Sequence, residues 1–308
     1  MINFRYHVVS LTSIFLALAI GLVLGTAALN GPVADDLNDR VSSLSRTNGQ
    51  LREEVSDLRT RATSQDQFVR EVAPMLLTGK LTGRTVVVVT TPTAEAKDRD
   101  AVVDTLRQAG ATITGQVALT DDFTDPKSDV ALQDLASRVV PDGVTGLPTG
   151  SGVETASALL AAVLLDGSTT IDQAGRSTVL TAYTSLGVLA VDGKLTAPAS
   201  AVVVITGPPA AEVDGDKRNA AAFTAVRQFD AAATYMVVAA PTAGGNGSIL
   251  REIRSDGTLA KTISTVDGVS LAEGQVATGL ALVEQFAGRD GHYGTGDGAT
   301  ARIPALVG

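Results

Sequence analysis

The chain has 308 residues, 44% of them hydrophobic and 19% charged, and a formal net charge of −9. That leaves room for about two domains, excludes a disordered chain, and lacks the basic footprint of a nucleic-acid binder. Cysteine is absent and only two His and three Met are present, which excludes disulfides, thiol nucleophiles, zinc fingers and iron–sulfur clusters and leaves few bases or metal ligands.

Val8 to Leu29 carries no charge and is long enough to cross roughly 30 Å of hydrocarbon. Arg5 precedes it, and Asp35, Asp36 and Asp39 follow. The charge asymmetry predicts a short cytoplasmic stub, Met1 to His7, and an extracytoplasmic remainder. A cleaved signal peptide is the alternative, since Thr26-Ala27-Ala28 has the small residues of a cleavage site. The apolar stretch exceeds a signal core of roughly 7–15 residues, which favours an uncleaved anchor in the cell membrane. Ser13, Ala17, Gly21 and Gly25 recur every fourth residue and make a flat ridge on which two membrane helices pack closely.

Residues 34–73 carry a heptad register: Leu37, Val41, Leu44, Asn48, Leu51, Val55, Leu58, Ala62, Gln65, Val69 and Val72. Val at a and Leu at d favour a parallel two-stranded coil, and Asn48 at an a position specifies its register. Glu54 then faces Arg59 of a second chain, and Arg61 faces Asp66. The alternative is a single amphipathic helix packed on its own domain, and the last heptad is where the two readings stay open.

Residues 81–308 read as an α/β domain. Thr85–Thr90 and Ala201–Thr206 are uninterrupted apolar, β-branched runs, the pattern of strands buried on both faces. Each is followed by a helical segment, Asp98–Ala109 and Lys217–Ala232, and by a second strand, Ala111–Ala118 and Tyr235–Ala239. The two units resemble each other in VVVVTTPTAE and VVVITGPPAAE and in an Arg-Gln pair on each helix; an internal duplication stays open. Apolar helices are expected over 128–139, 153–165 and 170–186, and a long one over 270–287. The fold class predicted is α/β: an N-terminal transmembrane helix, a parallel dimeric coiled coil, and a layered, mostly parallel, Rossmann-like sheet domain. The alternating segments of an outer-membrane barrel are not seen.

Chemistry-bearing motifs are sparse. Gly244–Ser248 sits between a strand and a short helix; it reads as an anion-holding loop or, preferred, as a flexible loop with Ser248 as helix cap. His292 has no nucleophile elbow to serve and reads as structural. Asp98-Arg-Asp100 and Asp214-Gly-Asp216 read as solvated helix starts, since Arg218 stands where a calcium loop wants Asp or Asn. Copper takes thioether sulfur or imidazole. Met75, Met236 and His292 are far apart in sequence and His7 lies across the membrane, so one chain offers copper a weak site at most. No catalytic, cofactor-binding or metal residue is assigned.

The opening NFRYHVVSLTSIFLALAIGLVLGTAAL, the heptads, and VEQFAGRDGHYGTG near the end together resemble the actinobacterial copper transport protein B (MctB) family, part by part over nearly the whole chain. The resemblance implies copper efflux or homeostasis in the envelope, with an outer-membrane channel as the family's suggested form. The architecture is also similar to the corynebacterial cell-separation membrane protein SteB. That implies a dimeric envelope partner of a protein controlling a peptidoglycan hydrolase. Neither resemblance names a catalytic residue. The expectation is a non-enzymatic homodimer in the membrane, with an envelope or division protein and weakly held copper as partners and no nucleic acid.

Overall fold

The computed structural model describes residues 4–29, 32–167, 171–193, 195 and 197–305. The first three residues of the expected stub, and the Thr170 start of one expected helix, lie outside them. Two units divide the chain, residues 1–65 and 66–308.

The first unit is helical. Helix α1 (Phe4–Leu29) is apolar along Phe4–Ala27, 24 residues, or about 36 Å at 1.5 Å per residue. Its hydroxyls bond within the helix: Thr12 Oγ1 donates to the Val8 carbonyl at 2.7 Å, Ser13 Oγ to Val9 at 2.9 Å and Thr26 Oγ1 to Leu22 at 2.9 Å. Hydroxyls satisfied in this way are tolerated where no water is at hand. Helix α2 (Pro32–Leu77) begins in this unit and ends in the second.

The second unit is a mixed α/β layer structure. In chain order it contains β1 (Thr85–Thr90), α3 (Ala96–Gln108), β2 (Thr112–Leu119), α4 (Asp121–Thr124), α5 (Asp129–Arg138), α6 (Gly152–Leu164), α7 (Gln173–Leu186) and β3 (Leu189–Asp192). There follow β4 (Ala201–Ile205), α8 (Gly215–Ala232), β5 (Met236–Ala240), α9 (Ile249–Ser255), β6 (Ile263–Asp267), α10 (Ala272–Phe286) and β7 (His292–Tyr293). The strands form one seven-stranded sheet in the order β3-β2-β1-β4-β5-β6-β7. Every neighbouring pair is parallel except β2 with β3.

The valine runs are continuous because both faces of the sheet are covered. Val87, Val89, Val202 and Val204 point into a core with α5 to α9. Val86, Val88, Val203 and Ile205 point into the other, with α3, α10 and the end of α2. Val69, Leu76, Ala73 and Leu77 of α2 belong to this second core, so the last expected heptad packs on its own chain.

The crossover from β1 moves one way along the sheet and that from β4 moves the other. Right-handed connections in opposite directions put their helices on opposite faces. Accordingly α3 packs in one core and α8 in the other.

The helices and strands expected for the α/β unit occur, with ends displaced by up to three residues. Three strands were not foreseen: β3, β6 and β7. β6 reads Ile-Ser-Thr-Val-Asp yet is wholly buried. Its polar side chains are all bonded: Ser264 to Gln285, Thr265 and Asp267 to Arg254.

Candidate functional site

The residues expected to carry association lie on open helix faces. Ser13, Ala17, Gly21 and Gly25 are exposed on α1, and a Cβ placed on Gly21 or Gly25 meets nothing within 4 Å. On α2, Leu37, Val41, Leu44, Asn48, Leu51, Val55 and Leu58 are all exposed; Leu44 reaches 69%. Asp66, expected opposite Arg61 of a second chain, is engaged in its own: one oxygen bonds Arg70 at 2.9 Å and the other accepts from the Ala272 amide at 2.6 Å. It thereby caps α10, whose preceding residue Leu271 has no side-chain acceptor.

An open parallel sheet places its ligand crevice at the carboxyl ends of the strands where their order reverses. Here that is between β1 and β4, and the crevice is filled. The Thr91 hydroxyl donates to that of Thr206 at 3.1 Å. Gly207 lies so close to the opposing turn that a Cβ would fall 1.7 Å from the Thr93 carbonyl. Asn219 accepts from the Ala210 amide at 2.8 Å and donates to its carbonyl at 3.0 Å. Arg218 pairs with Asp125 at 2.6 Å and donates to the Asp121 carbonyl at 2.9 Å. A cavity of about 20 Å³ remains, room for one water.

The loop Gly244–Ser248 packs on this crevice, Gly247 against Asn219 and Gly245 against Pro209. Ser248 stands at the cap position of α9 but does not cap it; its hydroxyl donates to the Ala243 carbonyl at 3.0 Å. The two Asp-x-Asp pairs also part company. Asp214 is exposed and bound to Lys217 at 2.7 Å, and that hydrogen bond holds its carboxyl below the usual range. Asp98, expected to be solvated, is buried and accepts from the Ser270 hydroxyl at 2.7 Å. Its carboxylate ties α3 to the turn before α10.

A second polar cluster lies at the β6–β7 edge of the sheet. Arg254 and Asp267 form an ion pair at 3.0 Å with side chains 3% and 5% exposed. Arg254 also donates to Thr265 Oγ1 at 2.8 Å, to the Asp297 carbonyl at 2.9 Å and to the Tyr293 carbonyl at 2.8 Å. Asp267 accepts from the amides of Thr295, at 2.8 Å, and Gly296, at 3.2 Å. Gly294, at φ +124°, leaves no room for a side chain: a Cβ would lie 2.2 Å from the Asp267 carboxyl. The Tyr293 phenol donates to buried Glu284, which also takes Arg289 at 3.3 Å. Burial and that carboxylate push the phenol's pKa up.

His292 is built into this cluster. It is 8% exposed, with Nδ1 2.9 Å from Thr265 Oγ1. Burial and the Arg254 charge lower its pKa, against Asp290 and a bond to the Ala260 carbonyl. Arg254 and Asp267 were missed in sequence because neither lies in a motif. The only trace of them was the spacing of glycines 294 and 296.

The side chains of the types that copper takes are dispersed. Met75 is exposed on α2, Met236 is buried in the core, and His292 is committed to Thr265. Among the described residues no group of three or more His, Cys, Asp or Glu is placed to hold a metal ion.

Residues 1–304 match the family described as copper transport outer membrane protein, MctB. The chain is 32% identical to the copper transporter MctB of Mycobacterium tuberculosis (strain ATCC 25618 / H37Rv) over 318 residues, covering 97% of this chain and 98% of that protein. It is 30% identical to the copper transporter MctB of Mycobacterium leprae (strain TN), covering 98% of each.

Proposed function

Because the chain belongs to the MctB family, we propose that it serves copper efflux or homeostasis in the cell envelope as a membrane-anchored, dimeric binding or scaffold protein and not as an enzyme. The observation that carries this reading is the match along nearly the whole chain to proteins named copper transporters. Helix α1 is the single-pass anchor, N-terminus in the cytoplasm, because Arg5 flanks one end and Asp35, Asp36 and Asp39 the other. The exposed seam of α2 is the dimer contact, a parallel coil ending before Asp66, and the ridge from Ser13 to Gly25 continues the pairing within the membrane. Copper is cargo of the assembly. The sulfur and imidazole side chains of one chain are scattered, so one chain offers copper a weak site at most.

Cell-associated copper in a clean deletion strain, against its parent, tests this, with zinc and iron as controls for leakiness. A selective rise in copper is expected; unchanged copper overturns the reading.

The open α2 seam also suits a second role, an envelope regulator of cell separation that docks or activates a peptidoglycan hydrolase. Chains of unseparated cells on deletion are its expected mark, and normal separation removes it.

A further inference from the structure

The cluster of Arg254, Thr265 and His292 fixes where its protons sit. Thr265 Oγ1 accepts from Arg254 Nε at 2.8 Å and lies 2.9 Å from His292 Nδ1. A hydroxyl carries one proton. If Nδ1 carried a proton too, the threonine proton would have no acceptor in the cluster. Nδ1 is therefore the acceptor, and the neutral ring carries its proton on Nε2.

A second ring proton enters at Nδ1, against the Thr265 hydroxyl. It also adds positive charge beside Arg254 at a buried position. The charged groups acting on the ring are Arg254 on α9 and Asp290 in the loop before β7; Asp267 on β6 is the ion-pair partner of Arg254. Asp267 is already held by Arg254 and by the Thr295 and Gly296 amides.

The same residues hold the end of the chain. Arg254 binds the Tyr293 and Asp297 carbonyls. The His292 carbonyl accepts from the Thr300 amide at 2.7 Å, and the Gly294 amide donates to the Ala301 carbonyl at 3.0 Å. Residues 292–301 are thus a strap whose first two residues form the edge strand β7 on β6.

We propose that the Arg254–Thr265–His292 chain is an acid-released latch on this strap, closed while His292 is neutral and opened when it is protonated. Opening takes β7 off β6 and uncovers Tyr293 and the polar edge of the sheet. The open strap returns His292 to water, where imidazole titrates near 6.5; in the closed strap it titrates lower. The open state therefore binds more protons as pH falls. The latch has its full strength above 6.5 and loses it as pH falls toward the closed-state value.

Hydrogen exchange of the full chain in detergent micelles, from pH 7.5 to 5.0 and corrected for intrinsic rates, tests it. Amides of 292–301 are expected to open about ten-fold more for each unit below 6.5 until the closed-state value is reached, while β1 and α10 keep their protection. His292→Gln is expected to abolish that slope. Protection unchanged down to pH 5.0, or the same slope in His292→Gln, overturns the proposal. Should that variant not fold, the imidazole ¹⁵N shifts of the unaltered chain decide. A proton on Nε2 at pH 7.5 and titration below 6.5 support the latch; a proton on Nδ1, or titration at or above 6.5, ends it.

Discussion

A buried arginine is the costliest residue to misplace. Arg254→Met removes the cation from Asp267, which is 5% exposed on its side chain, and strands a carboxylate in the interior. The expected cost is about 3–5 kcal/mol, read as a shift of the urea midpoint. Asn48 works in the opposite sense. In the proposed dimer its amide lies among apolar seam positions, so Asn48→Val is expected to raise the melting temperature of an isolated 34–73 peptide and to admit higher oligomers, measured by circular dichroism and sedimentation. As a polar residue in the expected heptad register, Asn48 was visible in sequence. Arg254 was not, since its partners Asp267, Tyr293 and Asp297 come from separate segments and only the folded sheet brings them together.

At the scale of elements, legibility followed burial chemistry. β1 and β4 announce themselves because both their faces meet apolar layers, so every residue but the terminal Thr85 and Thr90 is Val, Ile or Ala. β6 is as deeply buried but carries Ser, Thr and Asp, because those side chains are consumed by hydrogen bonds that local sequence does not display. The loop at Gly207 is a third case. Its role depends on the Thr93 turn, distant in sequence, and Gly207→Ala is expected to cost about 1–3 kcal/mol by overpacking, seen as a lower unfolding midpoint with an unchanged slope. The ridge on α1 gives the converse prediction. A side chain at Gly21 or Gly25 meets nothing in its own chain. Gly21→Leu with Gly25→Leu is therefore expected to leave helix content intact and to weaken membrane-helix pairing, measured by energy transfer between labelled helices in micelles; unchanged pairing would remove the ridge from the interface.

For the whole molecule, both cores draw on residues from Val69 onward. A fragment of residues 66–308 is therefore expected to fold and to sediment as a monomer, while 34–308 sediments as a dimer through the seam. Dimers of the shorter fragment would place the contact on the α/β unit instead. The family resemblance was legible from the two end motifs, whereas the filling of the crevice between β1 and β4 was not: Gly207, Asn219 and Gly247 close it by contacts between segments that no single motif contains.

The pairing of β1 with β4 has a cost during synthesis. Val86 pairs with Ala201, so the central valine strand waits about 115 residues for its neighbour, roughly 6–23 s at ribosomal rates of about 5–20 residues per second. Once β2 is made, the run Thr85–Thr90 has β2 on one side and an unpaired edge on the other until β4 arrives. An uncharged, valine-rich edge is a template for aggregation. The nascent chain is thus most vulnerable between completion of β2 and emergence of β4, and a chaperone that shields an exposed strand is needed most in that window.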